Sequence, residues 1–483
     1  MDSNLTLMTD LYQLTMMQGY FEANMHNKKA VFDMFYRKNP SNNGYAIACG
    51  LEQVVDYIKN IKFDNENISY LKSLNIFKED FLQYLEDFKF TGDIYAIPEG
   101  TVVFPGEPLV RVKSTIMEAQ FIETTILNII NHQSLIATKA ARVAWAAEGN
   151  VVMEFGLRRA QGPDAGVYGA RAAVIGGCTS TSNVLAGKMF NIPISGTHAH
   201  SWIMSFKDEI TAFRTYANIF PNRCVLLVDT YDTLKSGVPN AIKVFNEMKE
   251  KGIELKNYGI RLDSGDLAYI SDKARNMLDE AGFKDACIAA SSDLDESIIS
   301  SLKQQGTKIN VWGVGTNLIT SSDCPAFGGV YKLCAEEVNG EMIPKIKLSE
   351  NPDKVTNPGI KKIFRFYDKA TNKIKADLIC LEDEIINEDE DLTIFHPINT
   401  WKTMTLKANE YYTKELLQPV FLDGKCVFEK RETMEIKKYC EEQKASLWNE
   451  HKRLINPHIL PVDLSLKLYN LKKHMIDNIR KSK

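Results

Sequence analysis

Tyr258-Gly259-Ile260-Arg261-Leu262-Asp263-Ser264-Gly265-Asp266 decides the fold. A short apolar run of strand length ends in charged and turn residues, and a helical pattern follows at once from Asp266 to Ala281. The same texture recurs around it. Val151 to Phe155, Cys224 to Asp229, Cys287 to Ser291 and Ile309 to Val314 read as strands, and Asp208 to Ile219, Asn240 to Lys251 and Asp295 to Gln305 as helices. Repeated βα units with apolar strands imply a parallel sheet covered by helices, and this many in a row favour barrel-like closure over an open sheet. Eight strands cannot be counted. The expected class is therefore α/β, with an irregular or incomplete (β/α) barrel over residues 149–329.

The flanks differ in texture. Met8 to Phe21 has helical spacing with Thr9 or Asp10 as N-cap, and Tyr12 lies one residue off its apolar stripe. Ala30 to Tyr36 alternates as a strand, Leu51 to Phe88 is helical and lysine-rich, Gly92 to Ser114 reads as an antiparallel meander, and Glu118 to Glu148 is a long helical segment. Tyr331 to Ala335, Ile343 to Ser349 and Lys361 to Tyr367 look like further strands able to pair with the N-terminal ones. That predicts a discontinuous, β-rich α+β domain from residues 1–148 and about 330–430. Thr433 to Arg480 is expected to form a C-terminal helical extension, about 431–483, interrupted by Asn456-Pro457-His458 and Pro461.

The bulk numbers exclude several classes. With 483 residues, 44% hydrophobic, 25% charged and a net charge of -4, the chain is an ordinary globular protein with no electrostatic footprint for nucleic acid or an anionic membrane. Nine cysteines lie scattered with no C-x-x-C pair, which fits free thiols in a reducing compartment. The chain starts without a basic and apolar leader and has no run long enough for a membrane span, so a cytoplasmic protein is expected.

In a βα barrel the chemistry sits where strands end. Ile194-Ser195-Gly196-Thr197-His198-Ala199-His200-Ser201 follows a short apolar run, Phe190 to Ile194, interrupted by Pro193, and so reads as a strand-to-helix loop that places two imidazoles among small hydroxyl residues. Such a pair suits acid–base or nucleophilic chemistry, half of a metal site, or simple hydrogen bonding within the loop. Glu154-Phe155-Gly156-Leu157-Arg158-Arg159 puts two arginines in another loop, each able to fork onto a phosphate or carboxylate. Arg261 and Asp263 share one face of their strand, as an anion-binding pair or a structural ion pair. Gly313-Val314-Gly315-Thr316-Asn317 offers a backbone that a phosphate can approach; Leu318 replaces the third glycine of a dinucleotide fingerprint, and no Walker motif is present.

Together with Thr9-Asp10-Leu11-Tyr12-Gln13 and the run from Leu447-Trp448 through Asn456-Pro457-His458 to Pro461-Val462-Asp463-Leu464-Ser465, these blocks resemble nicotinate phosphoribosyltransferases, in family order over nearly the whole chain. The resemblance implies a type II phosphoribosyltransferase: an irregular barrel plus a β-rich domain, acting as a homodimer with shared sites. The implied reaction joins nicotinate to phosphoribosyl pyrophosphate, giving nicotinate mononucleotide and pyrophosphate, with Mg²⁺, and with ATP hydrolysis coupled through a phosphohistidine. It implies His200 as the phosphorylated residue; beside it Asp263 is read as a catalytic carboxylate able to supply negative charge near the sugar C1. Tyr12 (from the neighbouring subunit), Phe155, Thr197 and Arg261 are implied for nicotinate, and Arg158, Gly313, Gly315 and Thr316 for phosphoribosyl pyrophosphate. No metal ligands are assigned. Nicotinamide is the rival substrate; Thr179-Ser180-Thr181-Ser182-Asn183 lacks the carboxylate an amide would want. A catalytically inactive nucleotide-sensing barrel and a metal-dependent aldolase-like barrel built on His198 and His200 are the readings from other classes.

Overall fold

A computed structural model describes residues 4–399 and 401–481. Two compact units divide the chain: Met1–Leu135 with Ala326–Arg431 and Lys438–Lys483, and Ile136–Pro325 with Glu432–Lys437.

The second unit carries a six-stranded, all-parallel sheet. Its spatial order is Ser180–Thr181, Val151–Glu154, Val311–Val314, Cys287–Ser292, Gly259–Leu262 and Val225–Leu227. The chain returns on itself, because the last strand pairs with the first at Val311↔Val151. A single parallel bridge, Thr181↔Ile194, extends one edge. Among the described residues no ladder joins Ile194 to Val225–Leu227, so the ring is an incomplete barrel open at that place. Pro193 has no N–H to donate there, and the next residues leave the sheet for the histidine loop.

The strands form because their residues are buried on both faces: Leu226, Ile260, Leu262, Ile288 and Trp312 are all fully buried. Three of the helices start from an aspartate cap, as the side chains of Asp208, Asp266 and Asp295 accept from the N–H groups of Thr211, Tyr269 and Ile298. Gly265, at φ +81°, makes the tight turn between strand and cap. Phe190 to Ile194, apolar in sequence, is the end of the helix Val184–Phe190 followed by Asn191 at φ 51° and one bridging residue, not a strand.

In the first unit, strands from both chain ends share a seven-stranded sheet, ordered Glu341–Pro344, Gly329–Val338, Lys29–Tyr36, Val110–Thr115, Asp93–Ala96, Gln418–Leu422 and Lys425–Cys426. A six-stranded sheet contains Lys361–Asp368, Ile374–Leu381 and, parallel to the latter, Val462–Leu464. That last strand lies inside the stretch expected to be a helical extension. Buried Leu464 and Asp463 explain it: three residues after Pro461 complete the sheet before the helix Leu466–Lys481 begins. The strand expected over Ile343 to Ser349 stops at Pro344. The long helical segment is two helices, Ile116–Phe121 and Glu123–Ala146. No described helix is long and apolar enough to cross a membrane.

Candidate active site

Arg261, on the strand Gly259–Leu262, is the hub of the strand ends. Its Nε donates to Ser291 Oγ at 2.6 Å, one terminal nitrogen to Thr197 Oγ1 at 3.0 Å and His198 O at 3.4 Å, and the other to Asp263 Oδ1 at 3.0 Å. All three guanidinium nitrogens therefore already donate within the protein, so a full fork onto a ligand carboxylate would require rearrangement. Its side chain is 18% exposed, leaving one edge for a ligand.

Asp263 accepts from the Ser291 hydroxyl as well as from Arg261. Burial alone would raise its pKa, but the Ser291 hydrogen bond and the Arg261 charge outweigh burial and hold it below the ordinary value. Its backbone N–H donates to Asp229 Oδ2 at 2.8 Å, and Ser264 Oγ donates to the same oxygen at 2.7 Å. The other Asp229 oxygen is buried without a hydrogen-bond partner.

His200 begins the short helix His200–Met204. Its Nε2 stands 3.6 Å from Asp263 Oδ2 and 3.9 Å from Asp229 Oδ1, and its Nδ1 is 3.1 Å from Thr230 Oγ1. With 39% of its side chain exposed, the ring is accessible to a reactant. His198 differs in every respect. It is buried, its Nε2 accepts from Leu227 N–H at 3.3 Å, and its ring meets Tyr216 edge-on at 4.7 Å. Burial pushes its pKa down to about 4, so it is neutral at pH 7. Of the readings open for this pair, His198 takes the structural one.

Phe155 follows the strand Val151–Glu154, and the Arg261 guanidinium carbon lies 5.9 Å from its ring centroid. A Cβ on Gly313 would come within 2.7 Å of two Phe155 ring carbons, so Gly313 is glycine to seat that ring. A Cβ on Gly315 would sit 3.3 Å from the Phe155 carbonyl oxygen. Thr316, partly exposed, opens the four-residue helix Thr316–Ile319. Arg158 lies in the exposed turn Leu157–Arg159, with no ion-pair partner among the described residues. Tyr12, on the helix Leu11–Glu22 of the other unit, is 48% exposed.

A carboxyl does stand against the Thr179–Asn183 loop. Thr181 Oγ1 donates to Glu154 Oε2 at 2.5 Å, and the Gly156 N–H donates to Oε1. Glu154 is fully buried with both oxygens engaged, and burial raises its pKa; it braces the Phe155 turn from below. Among the described residues no group of three or more His, Cys, Asp or Glu side chains is placed to hold a metal ion.

Sequence reasoning missed Asp229, Thr230 and Ser291. All three follow or end recognised strands, and that position was their only signal.

A cation, two carboxylates, an accessible imidazole and an aromatic wall on the C-terminal ends of parallel strands define a group-transfer enzyme site of the α/β-barrel kind. Three sequence profiles agree on which: the nicotinate phosphoribosyltransferase N-terminal domain over residues 7–131, the family profile itself over 151–373, and the C-terminal domain over 360–472. Nicotinate phosphoribosyltransferase of Bacillus subtilis (strain 168) is 48% identical over 479 residues, 99% of this chain and 96% of that protein. The Caenorhabditis elegans enzyme of that name is 36% identical, covering 96% of this chain and 92% of its own. The crystal structure of human nicotinic acid phosphoribosyltransferase matches with a TM-score of 0.84 at 28% identity, over 97% of this chain and 99% of that one. This chain belongs to the nicotinate phosphoribosyltransferase family.

Proposed function

We propose that this protein transfers the 5-phosphoribosyl group of phosphoribosyl pyrophosphate to nicotinate, a step of NAD biosynthesis, and couples the transfer to ATP through a phosphohistidine at His200. The C1–O bond to pyrophosphate breaks, the bond from C1 to the pyridine nitrogen forms, and nicotinate mononucleotide and pyrophosphate leave. The observation that carries this reading is the contact set Thr197–Arg261–Asp263–Ser291 with His200 Nε2 3.6 Å from Asp263, beside the Phe155 ring.

Loss of pyrophosphate leaves positive charge on the sugar, which Asp263, ionised well below neutral pH, is suited to stabilise. Phe155 supplies a face on which a flat pyridine stacks, and the Arg261 charge favours nicotinate over nicotinamide. The two related enzymes described above are named for nicotinate, which speaks against the nicotinamide alternative, and the intact charged set speaks against an inactive sensor. The carboxylates of Asp263 and Asp229 favour the proton of neutral His200 on Nε2. That leaves Nδ1, beside the Thr230 hydroxyl, as the nucleophile for the γ-phosphoryl of ATP; ADP leaves as the N–P bond forms, and water later hydrolyses that bond to release phosphate and restore the imidazole. Mg²⁺ enters with the pyrophosphate substrate, whose charge it offsets. Exposed Tyr12 completes the site of a second subunit in a homodimer, and a cytoplasmic location fits the substrates.

The test is purified protein with phosphoribosyl pyrophosphate and Mg²⁺, offered nicotinate or nicotinamide, with and without ATP. Nicotinate-dependent pyrophosphate release, stimulated by ATP, is the expected result. Preference for nicotinamide would overturn the substrate assignment.

A further inference from the structure

The β-rich unit holds a cavity of about 270 Å³ that shares no residue with the strand-end site. Its charged lining is Asp33, Arg37, Lys361, His396 and Lys472. A neighbouring hollow of about 830 Å³ shares Pro352, Val355, Pro397, Ile398 and Lys472 with it and adds Lys473 and Arg480 against Glu350 and Asp477.

The charges of the smaller cavity do not balance. Lys361 takes the only carboxylate, pairing with Asp33 at 2.9 Å with both side chains buried. Lys472 is 7% exposed, yet its Nζ donates only to the neutral Asn357 Oδ1 at 2.9 Å and Pro397 O at 3.4 Å. It has no carboxylate partner among the described residues. Burial and the nearby Lys361 push its pKa down to about 8. The Arg37 Nε is buried without a hydrogen-bond partner. His396 Nδ1 accepts from the N–H groups of Ile398 and Asn399 at 3.1 and 2.9 Å, so in the neutral ring the proton is on Nε2, a donor.

A buried ammonium without a counter-charge is costly, and an anion beside it removes that cost. A group with several acceptor oxygens suits three donors on three separate segments. We propose that this cavity is a binding site for a phosphate group, held by Lys472 with Arg37 and His396 as further donors. Such a site gives the enzyme a second place to sense a phosphorylated small molecule, apart from its substrates.

The test is competitive acetylation of the full-length protein at pH 8 with acetic anhydride, each lysine being read by mass spectrometry. Inorganic phosphate, a nucleoside monophosphate and, at matched ionic strength, chloride are the additions. Phosphate at millimolar concentration is expected to slow labelling of Lys472 at least fivefold and to leave exposed Lys188 unchanged. In an Arg37→Ala/His396→Ala double variant, Lys472 should still label and the protection should be lost. Tighter protection by the nucleoside monophosphate identifies a nucleotide as the occupant; equal or weaker protection identifies free phosphate. The proposal fails if chloride protects as well as phosphate does, if nothing protects, or if the double variant keeps the full protection. None of these results depends on turnover, so the proposal stands or falls separately from the proposed function.

Discussion

The backbone N–H of Leu227 donates to His198 Nε2 at 3.3 Å, which ties the histidine loop to the strand Val225–Leu227 across the open seam of the barrel. Because that nitrogen accepts, it cannot hold a proton, and the ring must stay neutral for the tie to persist. In the folded protein the His198 pKa is about 4, against an ordinary 6.5. Well above pH 6.5 the group is neutral in both folded and unfolded states and adds no pH dependence to stability. As pH falls below 6.5 the unfolded state takes up the proton first, so stability drops until about pH 4, by roughly 3 kcal/mol at most. His198→Asn, which does not titrate, should lose less stability than wild type between pH 7 and 4.5 in urea melts. Equal losses would mean that His198 is not held neutral.

Ser291 bridges Arg261 and Asp263, donating to one and accepting from the other. Ser291→Ala should lower kcat/KM by about 1.5–3 kcal/mol, the range for a hydrogen bond to a charged group. The variant should also move the acidic limb of the pH–rate profile. In the proposed reaction Asp263 works ionised, and removing a hydrogen bond that lowers its pKa raises that pKa, so the limb should shift to higher pH. A lowered rate with an unshifted limb would make Ser291 a packing residue only.

Arg261→Ala should cost roughly 2–5 kcal/mol in kcat/KM for nicotinate, the usual loss when one partner of a buried charge pair is truncated. The loss for nicotinamide should be smaller, so selectivity falls with rate. Since its three nitrogens already hold Thr197, Asp263 and Ser291, Arg261→Lys should recover only part of the activity. An unchanged nicotinate KM in Arg261→Ala would remove this residue from the ring site.

Tyr12 is exposed on the first helix, although apolar burial accounts for its helical neighbours Leu14 and Met17. If it completes a neighbouring subunit's site, mixing inactive Tyr12→Ala with inactive His200→Ala protein should restore partial activity through heterodimers. No recovery under conditions that demonstrably exchange subunits would argue for a site within one chain.

Most of the barrel was legible because parallel strands buried on both faces read as short apolar runs, as Ile288 to Ala290 and Leu226 to Val228 do. Aspartates at two helix starts, Asp266 and Asp295, then marked where the loops after Gly259–Leu262 and Cys287–Ser292 ended. The run from Phe190 to Ile194 misled because apolar residues ending a helix look like a short strand; Asn191 in the left-handed region was the overlooked stop signal. Arg261, Asp263 and His200 stood out as charged or titratable groups at strand ends. Ser291 and Thr230 are small and neutral, and their importance appears only when neighbouring strands bring Ser291 beside Asp263 and Thr230 beside His200. His198 and His200 are equivalent in sequence. One faces the core and the other the carboxylates because the helix begins between them, at Ala199.

The central claim is that His200, and not His198, receives the phosphoryl group of ATP. Incubation with γ-labelled ATP, followed by acid and alkali treatment, tests it most directly, because a phosphohistidine survives alkali and not acid. The phosphoryl adds charge of roughly -2 next to the site, which should strengthen its hold on Mg²⁺-pyrophosphate. Wild type and a folded His198→Asn variant should carry alkali-stable, acid-labile label, and His200→Ala should carry none. Label on His200→Ala, or full ATP stimulation of that variant, would contradict the account.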